Sequence, residues 1–138
     1  MKRLHVHISV ADIDLAVRFY SGLFGMPPTV AKPDYAKWIV EDPAVNLAVS
    51  LGDGDKGVDH LGIQVEDERD LSAIETRLRD ASADVLEQRG ATCCYAQSDK
   101  SWTFDPDGVA WESFLTNGES VVYGSDTLSR AVEARLLP

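Results

Sequence analysis

His5-Val6-His7-Ile8-Ser9-Val10-Ala11-Asp12 returns as His60-Leu61-Gly62-Ile63-Gln64-Val65-Glu66-Asp67, with His, Ile, Val and Asp at the same spacing. An echo of this kind marks a chain built from two copies of one supersecondary unit. In each copy the apolar residues alternate, Val6, Ile8, Val10 and then Leu61, Ile63, Val65, the period of a strand with one buried face. The opposite face carries His5, His7 and Ser9, then His60, Gly62 and Gln64.

Each strand runs into a helical pattern behind an aspartate. Asp12 precedes Ile13, Ala16, Val17, Tyr20, Leu23 and Phe24, one helix face closed by Gly25 and Pro27. Asp67 stands in the same way before Leu71, Ile74, Leu78 and Ala81. Short strand-like runs follow, at 29–30, 35–40 and 45–51 in the first copy and at 85–88, 93–97, 102–104 and 109–115 in the second. Asp42-Pro43 and Asp105-Pro106-Asp107-Gly108 supply turns, and Gly52-Asp53-Gly54-Asp55-Lys56-Gly57 joins the copies. The expected fold class is α+β: two βαβββ modules, about 2–51 and 58–115, forming a curved, partly open mixed β-sheet around a metal site, with the helices outside. Residues 1–116 then form a single domain, and 117–138 a tail in which Ser125 caps a short helix bearing Leu128, Val132 and Leu136.

The chain has 138 residues, 44% of them hydrophobic, which suits one domain with a real core. Thirteen Lys and Arg against 23 Asp and Glu give a formal charge of -10, a field that repels phosphate backbones and anionic lipid. Neither nucleic acid nor membrane is an expected partner. No apolar run approaches the ~18 residues of a membrane span, and Met1-Lys2-Arg3-Leu4 leads straight into the first strand, so a cytoplasmic location is expected. The only cysteines, Cys93 and Cys94, are adjacent, with Cα atoms about 3.8 Å apart, too close for an ordinary disulfide.

On a curved sheet the faces away from the helices look into the concavity, which directs His5 and His60 toward a shared hollow. Glu112, in Val109-Ala110-Trp111-Glu112-Ser113-Phe114-Leu115, is a carboxylate in an apolar run and is costly to bury unless paired or coordinating. Two imidazoles and a carboxylate leave open positions on a divalent metal, the usual seat of non-haem Fe(II) oxygen chemistry; Mn, Ni, Co or Zn also fit. His7 shares the face of His5 and either competes for the metal or supports a ligand from behind. Cys93 and Cys94 read as two small buried residues or as a pair of sulfurs that hold one soft atom, such as trivalent arsenic. Trp38, Trp102 and Trp111 read as core.

The paired units, with His5, His60 and Glu112, resemble the vicinal oxygen chelate superfamily of glyoxalases, bleomycin-resistance proteins and extradiol dioxygenases, over residues 2 to about 115. Lys32-Pro33-Asp34-Tyr35-Ala36, the His60 to Val65 strand and above all Thr92-Cys93-Cys94-Tyr95-Ala96 through Asp99-Lys100 are similar to carbon-arsenic lyases and cadmium-induced proteins. That resemblance implies an Fe(II)-dependent, O2-consuming lyase that cleaves the carbon-arsenic bond of methylarsonous acid and aromatic arsenicals and releases arsenite. By the same resemblance His5, His60 and Glu112 hold iron and Cys93 with Cys94 hold arsenic. Read from the residues, Lys100 either pairs with thiolate or oxyanion or is a solvated surface charge, and Tyr95 either donates a hydrogen bond into the cavity or fills the other face of the sheet. The polar stretch from Gln97 to Lys100 is expected to move and close over the site. Two departures stand out: His7 occupies a place where a small residue is expected, and there is no third cysteine. Two other readings stay open, a protein that sequesters arsenic or cadmium without turnover and a glyoxalase-like isomerase or hydrolase. The partners are then a small organoarsenical and O2, and the chain a monomer or homodimer.

Overall fold

The structure, a computed structural model, describes residues 1–119; the expected tail helix after Ser125 lies outside them. The described elements are β1 (Arg3–Val10), α1 (Ile13–Phe24), β2 (Val30–Lys32), β3 (Tyr35–Glu41), β4 (Ala44–Leu51), then β5 (Gly57–Gln64), α2 (Glu68–Asp80), β6 (Leu86–Cys93), β7 (Ala96–Phe104) and β8 (Ala110–Glu119). Strand, helix and three strands occur twice, as the repeat requires, and the fold is α+β. The chain divides inside β5 into two compact units, Arg3–Leu61 and the described residues from Gly62 onward with Met1–Lys2.

In the first unit the strand order is β2-β3-β4-β1-β5. β1 runs parallel to β4, while β2/β3 and β3/β4 are antiparallel. The Asp12 carboxylate accepts the Leu15 N–H at 2.9 Å, and Gly25, at φ 67°, ends α1 in a left-handed conformation that glycine adopts without penalty. Ile13 and Ala16 of α1 join Trp38, Val40, Val45, Leu47 and Val49 in a core against which Val6, Ile8 and Val10 pack. The burial of β1 reverses the simple expectation: His5, His7 and Ser9 are buried, and the aliphatic residues between them only partly so. The aliphatic face is covered by a helix of 12 residues whose outer stripe, Leu15, Phe19 and Leu23, is itself exposed. The polar face instead finds hydrogen-bond partners on β4, which makes its burial tolerable.

In the second unit the order is β5-β8-β7-β6, with β6/β7 and β7/β8 antiparallel. Asp67 caps α2 by accepting the Asp70 N–H at 2.8 Å, and Leu71 and Ile74 pack with Val65, Ile63, Leu78 and Leu115. Here the sequence reading needs correction twice. Residues 93–97 and 102–104 are not two strands: Cys93 ends β6, Cys94 and Tyr95 form a two-residue turn at φ 57° and 62°, and β7 runs unbroken from Ala96. Gln97 to Lys100, expected as a moving loop, belongs to that strand, paired with β6 on one edge and β8 on the other, and Ser98 and Lys100 are buried. Ladder hydrogen bonds on both sides override the polar composition. Register shifts interrupt the pairing between Gln88 and Ala91 and between Gln97 and Ser98. No helix among the described residues is long and apolar enough to cross a membrane.

Candidate metal centre and thiol pair

Parallel pairing of β1 with β4 sets His5 opposite Asn46, His7 opposite Ala48 and Ser9 opposite Ser50. His5 Nδ1 lies 3.1 Å from the Asn46 carbonyl oxygen and 3.3 Å from its side-chain oxygen. His7 Nε2 lies 2.8 Å from Ser50 Oγ. On β5, His60 Nδ1 lies 2.8 Å from Asp59 Oδ2. The three rings form a triangle, with the His60 centroid 5.3 Å from His5 and 4.9 Å from His7, and His5 and His7 6.1 Å apart.

One ligand atom from each of these three imidazoles falls within 4.8 Å of the others, and all three residues are 6–7% exposed. Such a donor set fits a divalent cation, and an oxygen beside each ring helps to hold its orientation. A carbonyl or carboxylate oxygen behind Nδ1 of His5 and His60 makes that nitrogen the donor and leaves the lone pair on Nε2. Ser9 Oγ, on the same face of β1, is buried with no hydrogen-bond partner among the described residues.

In the second unit, antiparallel pairing sets Glu112 opposite Trp102 and one residue pair away from Lys100 on the same face. Lys100 Nζ donates to Glu112 Oε2 at 3.3 Å, with both side chains under a tenth exposed, and the ammonium lies 5.9 Å from the Trp102 ring centroid. Gly62 lets β5 come close here: a Cβ at that position would run into the Glu112 carbonyl oxygen. Cys93 and Cys94 have Sγ atoms 2.9 Å apart, beyond the ~2.05 Å of a disulfide, and both are half-buried, as is Tyr95. Cys93 pairs with Ala96 at one end of β7 and Glu112 with Trp102 near the other, so the two levels differ by about 20 Å of strand.

The opposite face of the same strands holds a second polar network. Glu75 of α2, buried, receives the Ser101 hydroxyl and two hydrogen bonds from Arg89, at 3.1 and 3.2 Å. Burial pushes its carboxyl up, but hydrogen bonds with Ser101, Glu87 and Arg89 and the Arg89 charge outweigh that and hold it below the usual carboxylate range.

His5 and His60 are therefore brought together, Lys100 meets Glu112, and the cysteines adjoin where β6 passes into the turn. Asn46, Ser50 and Asp59 were not anticipated, although the polar positions Asn46 and Ser50 in an otherwise apolar strand were a signal. Comparison with known proteins shows what the chain as a whole is similar to. A protein described as a trivalent organoarsenical cleaving enzyme from Bacillus sp. (strain MD1) is 44% identical over 121 residues, 84% of this chain and 74% of its own length. A cadmium-induced protein CadI from Mycobacterium bovis is 34% identical across 91% of this chain and 83% of that protein. The solved structure of homoprotocatechuate 2,3-dioxygenase from Arthrobacter globiformis shares the fold, with a TM-score of 0.62 at 17% identity over 91% of this chain and 38% of that one. The family pattern itself matches residues 2–113, and the chain belongs to the Glyoxalase/Bleomycin resistance protein/Dioxygenase superfamily.

Proposed function

We propose that this protein is an Fe(II)- and O2-dependent lyase that cleaves the carbon-arsenic bond of trivalent organoarsenicals, methylarsonous acid and aromatic arsenicals among them, and releases arsenite. The observation that carries this reading is the Cys93–Cys94 pair, Sγ atoms 2.9 Å apart at a hairpin tip, in a chain 44% identical to a trivalent organoarsenical cleaving enzyme. Two sulfurs so placed take one soft, trivalent atom between them. Non-glycine residues at positive φ cost about 1–3 kcal/mol each, and a turn that keeps two of them has a local reason to do so.

In this reading His5, His60 and Glu112 hold the iron. Bound iron supplies open coordination positions and one-electron chemistry for dioxygen. The chain's own residues do the rest. Cys93 and Cys94 anchor arsenic, Tyr95 donates a hydrogen bond to an arsenic-bound hydroxyl, and Lys100 sets a buried cation beside Glu112. The offset along β7 between thiols and Glu112 requires the hairpin tip to bend, and the register shifts at Gln88/Ala91 and Gln97/Ser98 are where it would. Anchoring then makes the reaction effectively intramolecular.

Atom balance fixes the expected products for methylarsonous acid and one O2. The carbon-arsenic bond breaks, one oxygen with a methyl hydrogen becomes the third hydroxyl of arsenite, and the other oxygen leaves on carbon as formaldehyde. Aerobic incubation with Fe(II), followed by arsenic speciation, is expected to give arsenite and formaldehyde in equal amounts and nothing without O2. No arsenite in air would overturn the reading in favour of sequestration, which the similarity to CadI keeps in view. Arsenite with methane under anaerobic conditions would instead identify a hydrolase. Cys93→Ser and Cys94→Ser are each expected to lower kcat/KM by at least about 100-fold, the loss of ~2.7 kcal/mol of transition-state binding.

A further inference from the structure

We infer that His7 is a metal ligand, so that His5, His7 and His60 together form a three-imidazole site able to hold a borderline divalent cation such as Zn(II), Co(II), Ni(II) or Fe(II), with Glu112 an additional donor rather than the deciding one. The inference shares two ligands with the lyase reading and does not depend on arsenic chemistry.

Alternation along β1 carries the argument first. His5 and His7 are two residues apart on one face, about 6.6 Å between Cα atoms, and the ring of His60 on β5 lies near both. The result is a triangle in which ligand atoms from all three residues lie within 4.8 Å of one another, close enough for small side-chain movements to bring them to the roughly 3–3.5 Å between adjacent donors of one ion. Each ring also has an oxygen behind it: Asn46 for His5, Ser50 for His7 and Asp59 for His60. For His7 it is Nε2 that meets the Ser50 hydroxyl, which positions the ring, and in the tautomer that donates Nε2–H to Ser50 the metal-binding nitrogen is Nδ1.

Burial points the same way. Three imidazoles over nine-tenths buried and in ring contact gather nitrogen donors in one place, where a single cation can be shared among them. Glu112 has a charge partner already, the Lys100 ammonium at 3.3 Å, so its burial does not by itself call for a metal. Neutral nitrogen donors suit Zn, Cu, Fe and Ni and leave the ion its full double charge, which favours Lewis-acid strength.

The test reads metal binding without any arsenical. The purified chain is stripped with a chelator and titrated with Zn(II) and Co(II) against a chromophoric competitor, alongside His7→Ala and Glu112→Gln. His7→Ala is expected to weaken Zn(II) binding by more than the ~10–100-fold lost with even an outer partner of a ligand. Glu112→Gln is expected to weaken it less than His7→Ala does. X-ray absorption on the Zn(II)-loaded unaltered chain is expected to count three imidazoles, and it decides the matter if His7→Ala does not fold. Two imidazoles with oxygen donors, an unchanged Kd in His7→Ala, or no binding by the unaltered chain would each overturn the inference. A chain that binds Zn(II) through three imidazoles yet forms no arsenite would sink the lyase reading alone.

Discussion

The residue whose replacement tests the site most directly has no side chain. Gly62 follows His60 on the same face of β5, and a methyl there would collide with the backbone oxygen of Glu112, an atom that cannot rotate away. Gly62→Ala therefore has to push β5 and β8 apart, and overpacking of this kind costs about 1–3 kcal/mol. Urea denaturation is expected to show that loss; an unchanged midpoint would mean that the strands have slack. The Lys100–Glu112 pair behaves differently. Removing one partner of a buried ion pair costs about 3–5 kcal/mol, whereas replacing both by apolar residues is often neutral. Lys100→Met is thus expected to destabilise strongly and Lys100→Met with Glu112→Leu much less. Additive losses in that double-mutant cycle would show that the pair contributes no coupling. At this scale the sequence was informative where the repeat set His5 and His60 at equivalent positions and where Glu112 broke an apolar run. It was silent on Lys100 meeting Glu112, because a lysine in a polar stretch carries no sign of burial until β7 is known to be a central strand.

Among the elements, helices were legible because their ends are written in local chemistry, Asp12 and Gly25 for α1 and Asp67 for α2. The β6–β7 hairpin was not. Thr92-Cys93-Cys94-Tyr95 contains no glycine or asparagine to announce a turn with two positive φ angles, so the run reads as strand. What fixes the hairpin is long-range: Arg89, just before the β6 irregularity at Gly90, reaches Glu75 on α2, and Gly90 N–H donates to Asp99 at 2.8 Å. Because the Glu75 carboxyl is held below the usual carboxylate range, its contribution is present at neutral pH and is lost as pH falls through that lowered value. Glu75→Gln is expected to cost about 1–3 kcal/mol at pH 7, with the gap to the unaltered chain closing as pH drops below about 4.3. Denaturation midpoints measured from pH 7 to pH 3 check this, and a gap that widened in acid would mean the carboxyl is held up rather than down.

At the scale of the whole molecule, the repeated strand announced two βαβββ units, but alternation misjudged which face of β1 lies deeper, since period two separates the faces without ranking them. The net charge of -10 has a consequence for substrate choice: it repels anions, so trivalent arsenicals that are neutral at pH 7 approach without opposition while pentavalent arsenates do not. The two candidate binding groups also fall in different compact units, the imidazole triad within Arg3–Leu61 and the thiol pair beyond Gly62. Ligand binding to a native site stabilises by mass action, about 2.7 kcal/mol at a free concentration 100 times Kd. That stabilisation is expected to show where the ligands are. Zn(II) should raise amide-exchange protection in β1, β4 and β5, and an aromatic trivalent arsenical in the β6–β7 hairpin, each reversed by its own competitor, a chelator for the metal and a dithiol for arsenic. If Zn(II) protects the hairpin and leaves β1 unchanged, the metal is on the sulfurs and the histidines are not its site.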